Sequence, residues 1–337
     1  MNQETYSAAG PMHRAGRCLQ RGLCQFPSVM ALLAVFWASG ALFNVTAQAG
    51  FSVPARLAPR SLLIDAVSID NGIWTVGERG HVLFSSDHGR TWRQVQVPTR
   101  TTLTAVTFYD DRTGWAVGHE AVILRTTDGG ESWIRVHDEP DDDRPLLDIW
   151  FQDALNGFAV GAYGLCLRTR DGGTSWEPVR ISDDEWHLHH MARSKNGRLY
   201  IAAEAGHIYR SDDGGDTWHS LPSPYNGSFF GILPLNEDSL IVFGLRGHVY
   251  RSDDGGDTWY GLPTNTIATL SDGIILSDGR ILLAGLAGTL LVGQEENTSF
   301  ESIPGPGRMG IWAVVQTPEK GLVCFGERGS VRLDLDR

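Results

Sequence analysis

Positive charge is in short supply in this sequence. Lys and Arg total 28 against 40 Asp and Glu, a formal net charge of −12 over 337 residues. So acidic a chain repels a phosphate backbone, which argues against nucleic acid as a partner. Cysteine is scarce too, with four in all, and only Cys166 and Cys324 lie beyond the first 49 residues. These two fall in strand-like runs far apart in the chain, which reads as two buried, reduced thiols and not a disulfide. Long apolar runs are nearly absent. The exception, Val29 to Val45, follows a basic leader (Arg14, Arg17, Arg21) and precedes Ala47-Gln48-Ala49. That order fits an export signal cleaved after Ala49, giving 1–49 as signal peptide and 50–337 as the exported domain. The run holds Gly40 and Asn44 and is short for a membrane span. A twin-arginine pair is missing, and so is a Cys after the run, which speaks against folded export and against a lipoprotein anchor.

What the sequence does have is a repeat. Ser211-Asp212-Asp213-Gly214-Gly215-Asp216-Thr217-Trp218 recurs almost unchanged at Ser252 to Trp259. Looser copies end at Trp92, Trp133 and Trp176, so the tryptophans recur every 41–43 residues. A period of 40–45 residues with strand-like flanks indicates a β-propeller, one repeat per blade. The motif is an Asp box. Its Asp (Asp87, Asp128, Asp171, Asp213, Asp254) is expected to accept amide hydrogen bonds within a hairpin turn. Its Gly supplies positive φ, and its Trp (Trp92, Trp133, Trp176, Trp218, Trp259) is expected to pack between neighbouring sheets. The order of acids does not match a calcium loop, which needs Asp-x-Asp-x-Asp-Gly and a Glu at position 12, so a structural role is expected and no metal.

Seven repeats follow, at about 62–95, 103–136, 146–179, 188–221, 229–262, 270–303 and 311–337. The expected class is an all-β, seven-bladed propeller. The last repeat stops after its third strand, and residues 51–59 belong to no repeat; that segment is expected to complete the last blade and close the ring, removing a sheet edge. The sixth repeat, Val292 to Phe300, has lost the Asp and Gly of its box.

In a propeller the Asp boxes lie on one face. The connections between second and third strands lie on the other, where Glu78-Arg79, His119-Glu120, Ala162-Tyr163, Glu204-Ala205, Leu245-Arg246, Leu286-Ala287 and Glu327-Arg328 are collected. His137 to Arg144 and Ser182 to Glu185 make one sector of that face acidic. Arg79, Arg100, Arg246, Arg308 and Arg328 are expected to cluster on the other, and guanidinium groups suit bidentate contacts with a partner. His187 and His189 would point the same way on a strand, but spacing fixes no third ligand. Glycosidase chemistry would need two carboxylates at a set separation, with Glu78, Glu120, Glu204 and Glu327 as candidates. Trp115, Trp150, Trp186 and Tyr163 are candidate stacking platforms for a carbohydrate.

Gly114-Trp115-Ala116-Val117-Gly118, followed by Ile123 to Trp133, resembles the photosystem II assembly and stability factor family. Gly157-Phe158-Ala159-Val160-Gly161 and Thr75 to Gly80 fit the same template. The resemblance spans residues 51–337 and implies a seven-bladed propeller of the periplasm or thylakoid lumen. It implies a non-catalytic scaffold, peripheral to the membrane at most, with an arginine patch for a membrane-protein client and no cofactor. Such a ring is expected to work as a monomer. The alternative expectation is a sialidase-like glycoside hydrolase or a carbohydrate-binding propeller.

Overall fold

A computed structural model describes residues 50–141, 144–294 and 299–334. Residues 1–49, read above as an export signal, and residues 295–298 within the worn box lie outside the described residues. Seven antiparallel sheets are arranged as blades. Each of the first six has four strands in sequential order, as in blade one: Leu63–Ile69, Gly72–Gly77, Val82–Ser85 and Arg93–Val95. The second strands are buried throughout, which is why they read as unbroken runs such as Gly-Trp-Ala-Val-Gly and not as alternating patterns. The outer strands are two to four residues long and mostly exposed.

The core lies between blades. Trp74, Val76 and Val82 of blade one pack with Leu103, Val106 and Leu124 of blade two. The same arrangement joins the ends of the ring: Leu63, Ile73 and Leu83 pack against Ala313, Val323 and Phe325 of blade seven. Apolar burial between sheets therefore closes the circle, each fully buried side chain contributing roughly 1.5–3 kcal/mol.

Five Asp boxes share one hydrogen-bond scheme. In blade four the Ser211 hydroxyl accepts the Gly215 amide (2.8 Å) and donates to Asp213 Oδ1 (2.8 Å). Oδ1 also accepts the Thr217 amide (2.8 Å), and Oδ2 accepts the Thr217 hydroxyl (2.6 Å). This convergence holds the carboxyls of Asp87, Asp128, Asp171 and Asp254 down at about 2, and Asp213 lower still. The box tryptophans meet their neighbours edge-on, Trp92 against Phe325, Trp133 against Trp74, and Trp218 against Phe158. Packing between blades is thus observed as expected. A second-strand ring from each of the first three blades lies on the next blade's box. Trp115 donates to the Gly172 carbonyl (3.2 Å), and a Cβ added to Gly173, at φ 79°, would sit 2.4 Å from Trp115 Nε1.

Closure differs from expectation in one respect. Among the described residues the seventh sheet has three strands, Ile311–Gln316, Leu322–Gly326 and Gly329–Leu333, and residues 51–59 do not add a fourth. The Ser52 amide donates to the Val97 carbonyl (2.8 Å) and the Val97 amide to the Ser52 hydroxyl (3.0 Å), so the segment starts along the outer edge of blade one. It ends in the single turn Ala58–Arg60, with Ala58 buried in the core shared by blades seven and one. Pro54 and Pro59 have no amide to donate, which disqualifies this stretch as a ladder strand. Pro59 and Arg60 instead lie against Gly329, just as Thr99 and Arg100 lie against Gly80 in blade one. The segment therefore takes the place of a blade-to-blade loop.

Candidate functional site: the face opposite the Asp boxes

The two faces treat arginine differently. On the Asp-box face most guanidiniums are held in ion pairs, several reaching the box of the next blade, though the buried Arg125 Nε has no partner. Arg168 meets Asp216 (2.5 Å), Arg210 meets Asp257 (3.0 Å), and Arg93 meets Glu131 (2.5 Å). Arg332 binds the His88 carbonyl across the ring closure.

On the opposite face Arg79, Arg100, Arg246, Arg308 and Arg328 are all exposed. Among the described residues none of the five forms an ion pair; Arg100 Nε donates to the Phe51 carbonyl (2.7 Å). Six of the connections that display this face share one conformation. Arg79, Glu120, Tyr163, Ala205, Arg246 and Ala287 all hold left-handed backbone, φ 53–60°. Each costs roughly 1–2 kcal/mol, a cost the ordered turn must offset. Arg328 sits instead in a tight hairpin between Gly326 and Gly329, without positive φ.

Ring order decides which arginines share a sector. Arg308 lies in the loop between blades six and seven and Arg328 on blade seven. Arg79 is on blade one, beside Arg100 in the loop to blade two. These four are consecutive. Arg246 is set apart on blade five, with Leu286 and Ala287 of blade six and the exposed Ile267 (89%) between it and the rest. Arg60 joins the arc and was missed. It is exposed, packs against Gly329, and lies three residues before an inner strand, as Arg100 and Arg308 do. That shared register was the signal that could have found it. The acidic sector holds Glu139, Asp183, Asp184 and Glu185 around a cleft of about 600 Å³ formed by blade three and the loops on either side of it, with Arg144 and Arg180 also lining it.

His187 and His189 both line the axial channel, their rings 6.3 Å apart. His189 Nδ1 is 2.8 Å from the Phe229 carbonyl, and burial lowers its pKa. Among the described residues no three His, Cys, Asp or Glu side chains converge as a metal site. Cys166 and Cys324 are free and buried, burial pushing both thiols up to about 12. Glu78, Glu120, Glu204 and Glu327 stand on four different blades. Trp115 is fully buried as an interblade ring, Trp150 packs on the core between blades three and four, and Trp186 stacks on His207. Of the four aromatics, Tyr163 alone is exposed.

A family model described as photosynthesis system II assembly factor YCF48 matches residues 90–143 and 136–300, more than half of the chain. The chain belongs to the YCF48 family. No curated protein matches it. A solved YCF48 bound to a D1 peptide is 19% identical, with a TM-score of 0.68, and covers 87% of this chain and 100% of its own. YCF48 from Cyanidioschyzon merolae is 18% identical (TM-score 0.67, covering 86% and 100%). Virginiamycin B lyase from Staphylococcus aureus matches at 15% identity and a TM-score of 0.70, covering 81% and 94%. At these identities the structural likeness establishes the fold, and the YCF48 model establishes the kinship.

Proposed function

We propose that this chain is a non-catalytic, exported scaffold that assists assembly or stability of a membrane protein complex. In this reading an acidic, extended segment of a membrane-protein client lies across Arg308, Arg328, Arg60, Arg79 and Arg100. The observation that carries the reading is the arc of exposed arginines without ion pairs, beside a box face where most arginines are held in them. Guanidinium forks bind carboxylates bidentately, and unpaired they need shed no intramolecular partner first. Family membership supports a scaffold role, and the D1 peptide held by a relative makes a reaction-centre subunit the first client to test.

The test is a cross-linked pull-down from native membranes with wild type, Arg79→Glu/Arg328→Glu and Arg246→Glu baits. Recovery of a membrane protein by wild type and Arg246→Glu, but not by the double variant, supports the arc. The same recovery with all three baits would sink it.

A further inference from the structure

We propose that the axial channel is a binding site for an organic ammonium group carried on an apolar body. The channel encloses about 1030 Å³ and is lined by the inner strands of all seven blades. Asp65, Asp148 and Asp272 each stand two residues into an inner strand, and no Lys or Arg lines the space. Each carboxyl accepts the amide of the next blade's inner strand: Asp65 from Val106 (2.7 Å), Asp148 from Met191 (2.7 Å), Asp272 from Val314 (2.8 Å). These bonds fix the carboxyls in place and leave further lone pairs free to meet a ligand. The three half-buried acids line one channel, where the basic side chains are histidines alone, His190 acting on Asp272. Carboxyls gathered in this way ionise at a cost, and a cation arriving along the axis lowers it.

The wall one residue nearer the arginine face is mixed, polar at Thr104, His189 and Ser271 and apolar on blades five to seven. Phe230 and Trp312 stand there with Leu245 and Leu286, and Trp312 is 40% exposed. Such a ring attracts a cation over its face and covers an aliphatic or aromatic body. The remaining titratable groups facing the space are His187, His189 and His190. Burial, reinforced by the Asp148 and Asp272 charges, raises Asp65 to about 8, and burial raises Asp272 as well. A carboxyl that holds its proton at neutral pH must give it up to pair with an ammonium. Binding near pH 7 then releases a proton to the buffer, and affinity climbs from pH 6 to pH 8.

The probe is benzylammonium, with benzyl alcohol as its neutral isostere, titrated calorimetrically into the purified protein in buffers of different ionisation heat. We expect saturable one-site binding of the amine, at least about tenfold tighter than the alcohol, with proton release near pH 7. Trp312→Ala removes a ring that bridges no blades by hydrogen bonds; it should weaken the amine about tenfold and leave the melting temperature unchanged. Asp272→Asn should abolish proton-linked binding, its fold checked by circular dichroism. Equal affinity for the alcohol, no saturation by about 10 mM amine, or unchanged binding by Trp312→Ala would each overturn the proposal.

Discussion

Gly173→Ala should destabilise the propeller through one contact between blades two and three. The added Cβ would lie 2.4 Å from Trp115 Nε1, on a backbone with φ 79°. The left-handed conformation costs a non-glycine residue roughly 1–2 kcal/mol. Overpacking adds about 1–3 kcal/mol, because Trp115 is fully buried and stacked 3.5 Å from Phe151 and cannot swing aside. The sum, about 2–5 kcal/mol, is a large part of a typical stability of roughly 5–15 kcal/mol and should lower the urea midpoint clearly. Trp115→Phe alone should cost about 1–2 kcal/mol, since it drops the bond to the Gly172 carbonyl and leaves a small void. In that background the methyl has room, so Gly173→Ala should cost only its backbone share. The assay is urea unfolding followed by far-ultraviolet circular dichroism, arranged as a double-mutant cycle with an expected coupling of about 1–3 kcal/mol. Equal costs of Gly173→Ala in the two backgrounds would refute the reasoning.

Two limbs are expected in the pH dependence of stability. The Asp-box carboxyls, held at about 2, contribute stability that is full above the ordinary carboxyl range near pH 4 and lost as pH falls through about 2. Asp65, raised to about 8, has the opposite sign: the fold loses stability from about pH 4 to about 8, and Asp65→Asn should flatten that limb in urea titrations at stepped pH. A chain starting at Leu62 gives up the Ser52 bonds to Val97 and the buried Ala58, and its Tm should fall by several degrees, about 2–4 °C per kcal/mol lost. Cys166 and Cys324 should resist a thiol reagent in the folded protein and react once urea unfolds it.

The fold was legible because its strongest signal is local. Ser211, Asp213, Gly215 and Thr217 satisfy one another within seven residues, so the motif announces its turn without knowledge of the rest of the chain. The arginine arc was only partly legible. Arg246 belongs to the right face but the wrong sector, a fact that depends on counting around the ring. Arg60 falls between the 51–59 segment, read as a closing strand, and the first repeat, and so was assigned to no connection; Pro59 beside it already argued against the strand. The channel acids were missed for another reason. Asp65, Asp148 and Asp272 occupy strands that look like ordinary half-exposed ones, and that all three face one axis appears only when the ring is closed.

The left-handed tips have a wider consequence. Around the ring that position holds Arg, Glu, Tyr, Ala, Arg and Ala, yet the backbone angle hardly changes. The turn is therefore indifferent to what it carries, and the tips act as interchangeable sockets on a fixed frame. Recognition can be rewritten socket by socket while the Trp–Gly contacts beneath are left alone. A frame shared at only 18–19% identity can in this way carry unlike side chains, its vocabulary drifting while its grammar stays put.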